Sequence, residues 1–218
     1  MIKSIIFDMD GTLFSTEPIY FQCYQEAAKP MGLDFTFELF ETCIGMSAAD
    51  SAPLMKSYFG REVDVQALHD GCCMNFERYM ENNRVPFRPG ALQTVQYFYD
   101  RGFKLGVATS NIRIWVNKLL EKHDLKKYFS AVVTADDVAN PKPDPEVFLR
   151  CAQELGADVR ECLVFEDSVA GATGAISAGM RTVVIPDLKQ PNTFVKENAF
   201  KIYSSMCDIY ADIDELLR

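Results

Sequence analysis

Ile2-Lys3-Ser4-Ile5-Ile6-Phe7-Asp8-Met9-Asp10-Gly11-Thr12 opens the chain with a short apolar run that ends on two aspartates. A run of this length ending in charge predicts a buried strand that delivers its last residue to a sheet edge. Working outward, the rhythm first turns helical. Residues 17–82 carry no strand pattern; Leu68, Cys72, Phe76 and Tyr79 recur at helical spacing on one face, and Gly32, Gly45 and Gly60 punctuate the segments. After Pro86 the pattern alternates. A helical stripe (Leu92, Val95, Phe98) within 90–101 stops at Gly102, and a strand follows at 103–109. Further segments lie at 130–134, 145–155, 162–166, 168–178 and 182–185, with Gly156 and Gly179 closing helices and a short helix over 212–217. Strands alternating with helices predict an α/β fold with a parallel sheet covered on both faces. The expected organisation is an α/β core of 1–14 plus 85–218, interrupted by an all-helical insertion over 15–84.

Composition narrows the function. Lys and Arg number 22 against 31 Asp and Glu, a net charge of −9. No basic cluster stands out, so a nucleic acid or an anionic membrane surface is an unfavourable partner. No apolar run approaches the ~20 residues needed to span a bilayer, and the first residues are too short and too acidic for a signal peptide. A cytoplasmic, monomeric protein is the expectation. The seven cysteines lack C-x-x-C spacing and sit mostly in apolar patterns, which predicts reduced, buried thiols. His69 and His123 fall in polar helical stretches and are expected at the surface.

Open α/β sheets place ligands at the carboxyl ends of their strands. There the sequence sets Asp8 and Asp10 after the first strand, Thr109, Ser110 and Asn111 after the second, Lys142 after the third, and Glu166 with Asp167 after the fourth. Carboxylates crowded on one rim require a positive charge between them, and Mg2+ prefers such hard oxygen ligands. A carboxylate is also a competent nucleophile towards phosphorus, while hydroxyls, backbone N–H groups and a lysine suit phosphoryl oxygens.

These residues resemble the motifs of the haloacid dehalogenase superfamily. Asp8-Met9-Asp10-Gly11-Thr12, Thr109, Lys142-Pro143 and Glu166-Asp167 are similar to its four motifs in order and spacing, over nearly the whole chain. Phe165 to Gly171 followed by Gly179-Met180 resembles the branch of β-phosphoglucomutase and sugar-phosphate phosphatases. The resemblance implies a Rossmann-like core with a helical cap. It implies Asp8 as nucleophile and metal ligand, Asp10 as general acid and base with its carbonyl on the metal, and Asp167 as a metal ligand with Glu166 beside it, either on the metal directly or behind its ligands. Thr109 and Lys142 would be catalytic. Met9 and Ser110 would join Asp8, Asp10, Thr109 and Lys142 around the phosphate. In the cap, Tyr20, Met46, Ser47 and Asp50 would face the substrate, a small phosphorylated metabolite.

Departures within the resemblance bear on the reaction. Asp10 argues against the dehalogenating branch, which lacks the second acid. Mutases of the β-phosphoglucomutase type carry a histidine where this chain has Tyr20 and an arginine where it has Ala48. Without that arginine a bisphosphate is poorly held, which favours water as acceptor. The expectation is a Mg2+-dependent phosphatase working through an aspartyl-phosphate on Asp8, with a hexose-phosphate mutase as the alternative. A receiver domain uses similar chemistry, but it is shorter, lacks the insertion and places its acceptor on a middle strand.

Overall fold

The computed structural model of the protein describes residues 1–44, 46 and 48–218. Six strands form one sheet: β1 (Ser4–Phe7), β2 (Lys104–Ala108), β3 (Ala131–Val133), β4 (Cys162–Glu166), β5 (Arg181–Val184) and β6 (Lys201–Ile202). The helices are α1 (Glu17–Ala28), α2 (Phe37–Cys43), α3 (Ala48–Phe59), α4 (Val65–Asn82), α5 (Ala91–Asp100), α6 (Arg113–Lys122), α7 (Glu146–Leu155), α8 (Val169–Ser177), α9 (Thr193–Asn198) and α10 (Ile213–Leu217). The chain divides into two compact units, one of Met1–Ser15 with Val85–Arg218 and the other of Thr16–Arg84.

In the first unit the strand order is β3-β2-β1-β4-β5-β6 and every pairing is parallel. This is the expected α/β class. Parallel pairing forces each connection to cross a face of the sheet, so the central strands are buried on both sides and read as unbroken apolar runs. Every residue of β1 and β4 is buried. Ile6 and Val164 pack with Phe148, Cys151 and Leu155 of α7 on one face. On the other, Phe7 stacks on Phe165 at 5.2 Å between ring centroids, and Phe98 of α5 lies 5.9 Å from Phe165. The two-residue alternation along a strand sorts these side chains between the layers.

Register then decides what meets at the carboxyl rim of the sheet. Phe7 pairs with Val107 on one side and with Phe165 on the other. Asp8 therefore emerges level with Ala108 and Glu166, one residue short of Thr109. The strand expectations at 2–8, 103–109, 130–134, 162–166 and 182–185 correspond to β1 to β5. Unforeseen were α9 and the edge strand β6, whose short or weakly patterned sequences carry little periodic signal, while α6 was read only as a polar helical stretch at His123, without bounds.

In the helical unit α1 and α4 pack against each other. Leu68, Cys72, Phe76 and Met80 form the buried stripe of α4. The expected fourth member, Tyr79, is only half-buried: a 3.6-residue period carries the stripe to Met80 instead. Two further expectations are corrected. His123 is half-buried, its ring 4.8 Å from that of Phe14 and 4.9 Å from that of Phe87, because it ends α6 against that aromatic pair. Among the cysteines, all free, Cys207 is exposed and Cys43 and Cys73 are half-buried, while Cys23, Cys72, Cys151 and Cys162 are buried as expected.

Candidate active site

Lys142 anchors the site. Its Nζ lies 2.6 Å from Asp8 Oδ1, 2.7 Å from Glu166 Oε1 and 3.0 Å from the Ala108 carbonyl oxygen. An ammonium carries three donors, and these three acceptors engage them all. The three side chains are almost wholly withdrawn from solvent. Burial alone would strip the proton from Lys142, but the adjacent carboxylates of Asp8 and Glu166 outweigh it and push its pKa above the ordinary range.

Glu166, the last residue of β4, uses its second oxygen as a hub. Oε2 accepts from the Asp167 N–H at 2.9 Å, the Ser168 N–H at 2.8 Å and the Ser168 hydroxyl at 3.0 Å. Ser168 in turn caps α8, accepting from the Gly171 N–H at 3.0 Å. The carboxylate lies directly over Gly171: a Cβ there would fall 1.6 Å from Glu166 Oε1. Glycine at this position is a steric requirement of the site.

Asp167 faces the loop that follows β1. Its Oδ1 accepts from the Thr12 hydroxyl at 3.1 Å, and a Cβ on Gly11 would sit 2.4 Å from its Oδ2. Gly11 also has φ +78°, so the loop needs glycine there on both counts. The outcome is a group of carboxylates on Asp8, Glu166 and Asp167 with one oxygen each, all within 4.8 Å of one another.

Asp10 is half-buried, and its Oδ2 accepts from the Asn111 side-chain amide at 3.0 Å. Thr109 is buried; its hydroxyl accepts from the Asn111 N–H at 3.1 Å and its own N–H donates to the Val133 carbonyl at 3.0 Å. Ser110 is exposed at the strand tip. Met9 is fully buried, so only its main chain remains for a ligand. Among the cap expectations, Tyr20 stacks on Phe76 at 4.3 Å, while Met46 and Asp50 are exposed. Ser47 lies outside the described residues.

The donor set suits a divalent cation of the hard type. Burial pushes the Asp8 carboxyl up to about 8, Lys142 pulls against this, and the charges of Glu166 and Asp10 add to the rise. A single lysine shared between acids leaves negative charge in excess, and carboxylate oxygens are what Mg2+ prefers. Glu166 already has donors on both oxygens, which makes Asp8 and Asp167 the better placed ligands. Sequence reasoning named Thr12 only as part of a motif and gave Asn111 no role. A polar residue two places past Thr109 was the available signal for Asn111; Gly171 stood in the motif that runs from Phe165, but the steric reason for glycine there is visible only in the structure.

The family model of haloacid dehalogenase-like hydrolases matches residues 5–185. The chain is 33% identical over 211 residues to YhcW of Bacillus subtilis, a protein named as a phosphatase, covering 96% of this chain and 94% of that one. It is 30% identical to the phosphorylated carbohydrates phosphatase of Thermotoga maritima, covering 84% of each chain. Among solved structures, a Thermotoga maritima protein assigned as a β-phosphoglucomutase superposes with a TM-score of 0.80 at 27% identity, covering 99% of this chain and 100% of that one.

Proposed function

The chain belongs to the haloacid dehalogenase-like hydrolase family and is a phosphoric monoester hydrolase, and from that premise we propose that it hydrolyses a small phosphorylated sugar or related metabolite through an aspartyl-phosphate on Asp8. The observation that carries this reading is Asp8 itself: a buried carboxylate 2.6 Å from a buried lysine and grouped with Asp167. An Asp8 oxygen attacks phosphorus and the bond to the leaving oxygen breaks. Asp10, oriented by Asn111, gives that oxygen its proton. In the second half Asp10 takes a proton from water as the water oxygen attacks the phosphorus of the aspartyl-phosphate, returning Asp8 and releasing inorganic phosphate.

Thr109, the main chain at Met9 and Ser110, and Lys142 bind the phosphoryl oxygens, and Lys142 offsets the charge that develops on them. Asp8, Asp167 and the Asp10 carbonyl would hold Mg2+, which supplies further charge neutralisation when bound. Glu166 acts through its neighbours, holding Lys142 and the turn that carries Asp167. The helical unit serves as the substrate-reading cap, with Tyr20, Met46, Ser47 and Asp50 as its contacts. Tyr20, stacked on Phe76 where mutases carry a histidine, favours hydrolysis over intramolecular phosphate shuttling.

A panel of phosphorylated metabolites assayed for phosphate release with Mg2+ tests the proposal. Asp8→Asn should be folded and silent, and hydroxylamine should trap an acyl phosphate only from the parent protein. Conversion of β-glucose 1-phosphate to glucose 6-phosphate with a bisphosphate activator and no free phosphate would instead establish a mutase.

A further inference from the structure

We propose that Asp136, on the loop that follows β3, is a positioning residue for the reaction: it fixes the first turn of α6 and, through it, the Asn111 amide that aims Asp10. The inference rests on the reading of Asp10 as proton donor.

Asn111 lies between the tip of β2 and the start of α6, where the chain has no regular structure of its own. Its side chain is committed at both ends. Oδ1 accepts from the Ile112 N–H at 2.8 Å, so the amide NH2 is the group that faces Asp10, 3.0 Å from Oδ2. A side chain with two free torsions keeps that aim only if the backbone beneath it is held. The local sequence does not hold it. The residue that opens α6 is Ile112, whose side chain accepts no hydrogen bond and makes no cap. The first N–H groups of a helix have no partner within it, so α6 depends on another segment.

That segment is the loop after β3. Asp136 Oδ2 accepts from the N–H of Arg113, the first residue of α6, at 2.8 Å. A carboxylate also suits the positive end of a helix. One residue earlier, the Ala135 N–H donates to the Asn111 carbonyl at 3.0 Å. The Arg113 side chain returns to β3, donating to the Val132 carbonyl at 2.9 Å and pairing with Asp137. Register makes these contacts possible: Ala108 lies opposite Val133, so the two loops leave the sheet side by side. Asn111 is thereby gripped through its own carbonyl and through the turn that follows it. Asp136 is exposed, so its side chain can be removed without cutting into the sheet.

Asp136→Ala, Asn111→Ala and the double variant are compared by phosphate release with Mg2+. The substrates are the sugar phosphate that the parent hydrolyses fastest and p-nitrophenyl phosphate, whose leaving group needs little protonation. Asp136→Ala should lower kcat about fivefold with KM unchanged, since small misplacements of reacting groups are costly. Its loss in kcat/KM should be larger on the sugar phosphate, which needs the acid more. Asp136→Asn keeps an acceptor oxygen and should recover most of the rate. In the Asn111→Ala background, Asp136→Ala should change kcat by about twofold at most, because the two residues act in series. The melting temperature should fall by about 2–4 °C on losing Asp136 in either background. An equal fold-loss in kcat in both backgrounds, or a parental kcat in Asp136→Ala, would overturn the proposal and leave the reading of Asp10 standing. An Asp10→Asn variant with parental kcat would remove that reading, and the proposal with it.

Discussion

Lys142 meets Asp8 across 134 positions of sequence, Nζ to Oδ1 at 2.6 Å, with both side chains withdrawn from water. Such a pair does not form in isolation: the same ammonium also serves Glu166 and the Ala108 carbonyl. Charge balance at the site therefore depends on one side chain and on whatever cation joins it.

Removing that side chain should expose the balance. Lys142→Met leaves Asp8 and Glu166 buried without their common partner, a change that typically costs about 3 kcal/mol or more. Urea unfolding should report the loss. Mg2+ should restore part of it, because a ligand bound only to the folded state at a hundred times its Kd adds about 2.7 kcal/mol. An equal Mg2+ effect on the parent and on an Asp8→Asn/Asp167→Asn double variant would place the ion elsewhere.

Gly171→Ala inverts the usual rule for helices. Glycine to alanine inside a helix ordinarily gains about 1 kcal/mol. Here the added carbon meets the Glu166 carboxylate, 1.6 Å from Oε1. Overpacking of this kind should cost about 2 kcal/mol. Displacing Glu166 should also slow phosphate release by about tenfold or more, each tenfold being about 1.4 kcal/mol of barrier. Thermal melting and a steady-state assay check both.

Asn111→Ala removes the donor that holds Asp10. A hydrogen bond to a charged group contributes about 1.5–3 kcal/mol. The expected result is a fall in kcat of about tenfold to a hundredfold with little change in KM or melting temperature. A change confined to KM would move Asn111 from orienting Asp10 to binding substrate.

Asp137 offers a test by pH away from the site. Burial opposes its charged form, but the Thr134 amide and hydroxyl and the Arg113 guanidinium outweigh that and hold its pKa below the usual carboxylate range. A depressed folded pKa gives stability that is present above the unfolded value, about 3.9, and lost as pH falls through the folded one. Asp137→Ala should thus cost about 1 kcal/mol at neutral pH, the worth of a capping group, and this deficit should shrink below about pH 4. Urea midpoints across that range measure it.

Much of this is legible in the sequence. The apolar run before Asp8, the glycine-stopped helices and the alternation after Pro86 dictate β1 to β5 and the parallel class, because periodicity records which faces must be buried. The polar residues at strand ends followed, since strands in a parallel sheet all point their carboxyl ends to one rim. Less was legible where the signal is short or non-periodic, as at α9 and β6 and in the bounds of α6. The stripe of α4 drifted by one residue, and His123 turned inward because its neighbours Phe14 and Phe87 are distant in sequence.

What the chain alone settled is the list of chemical groups and the strand tips that carry them. Only the folded structure decided their partners: that both Glu166 oxygens are engaged, that Asn111 holds Asp10, that Thr12 meets Asp167, and that Gly171 leaves room for a carboxylate. The reason is range. Hydrogen bonds and steric contacts act over a few ångströms, and which atoms come that close depends on strand register and helix packing across the whole sheet, which local sequence patterns do not encode.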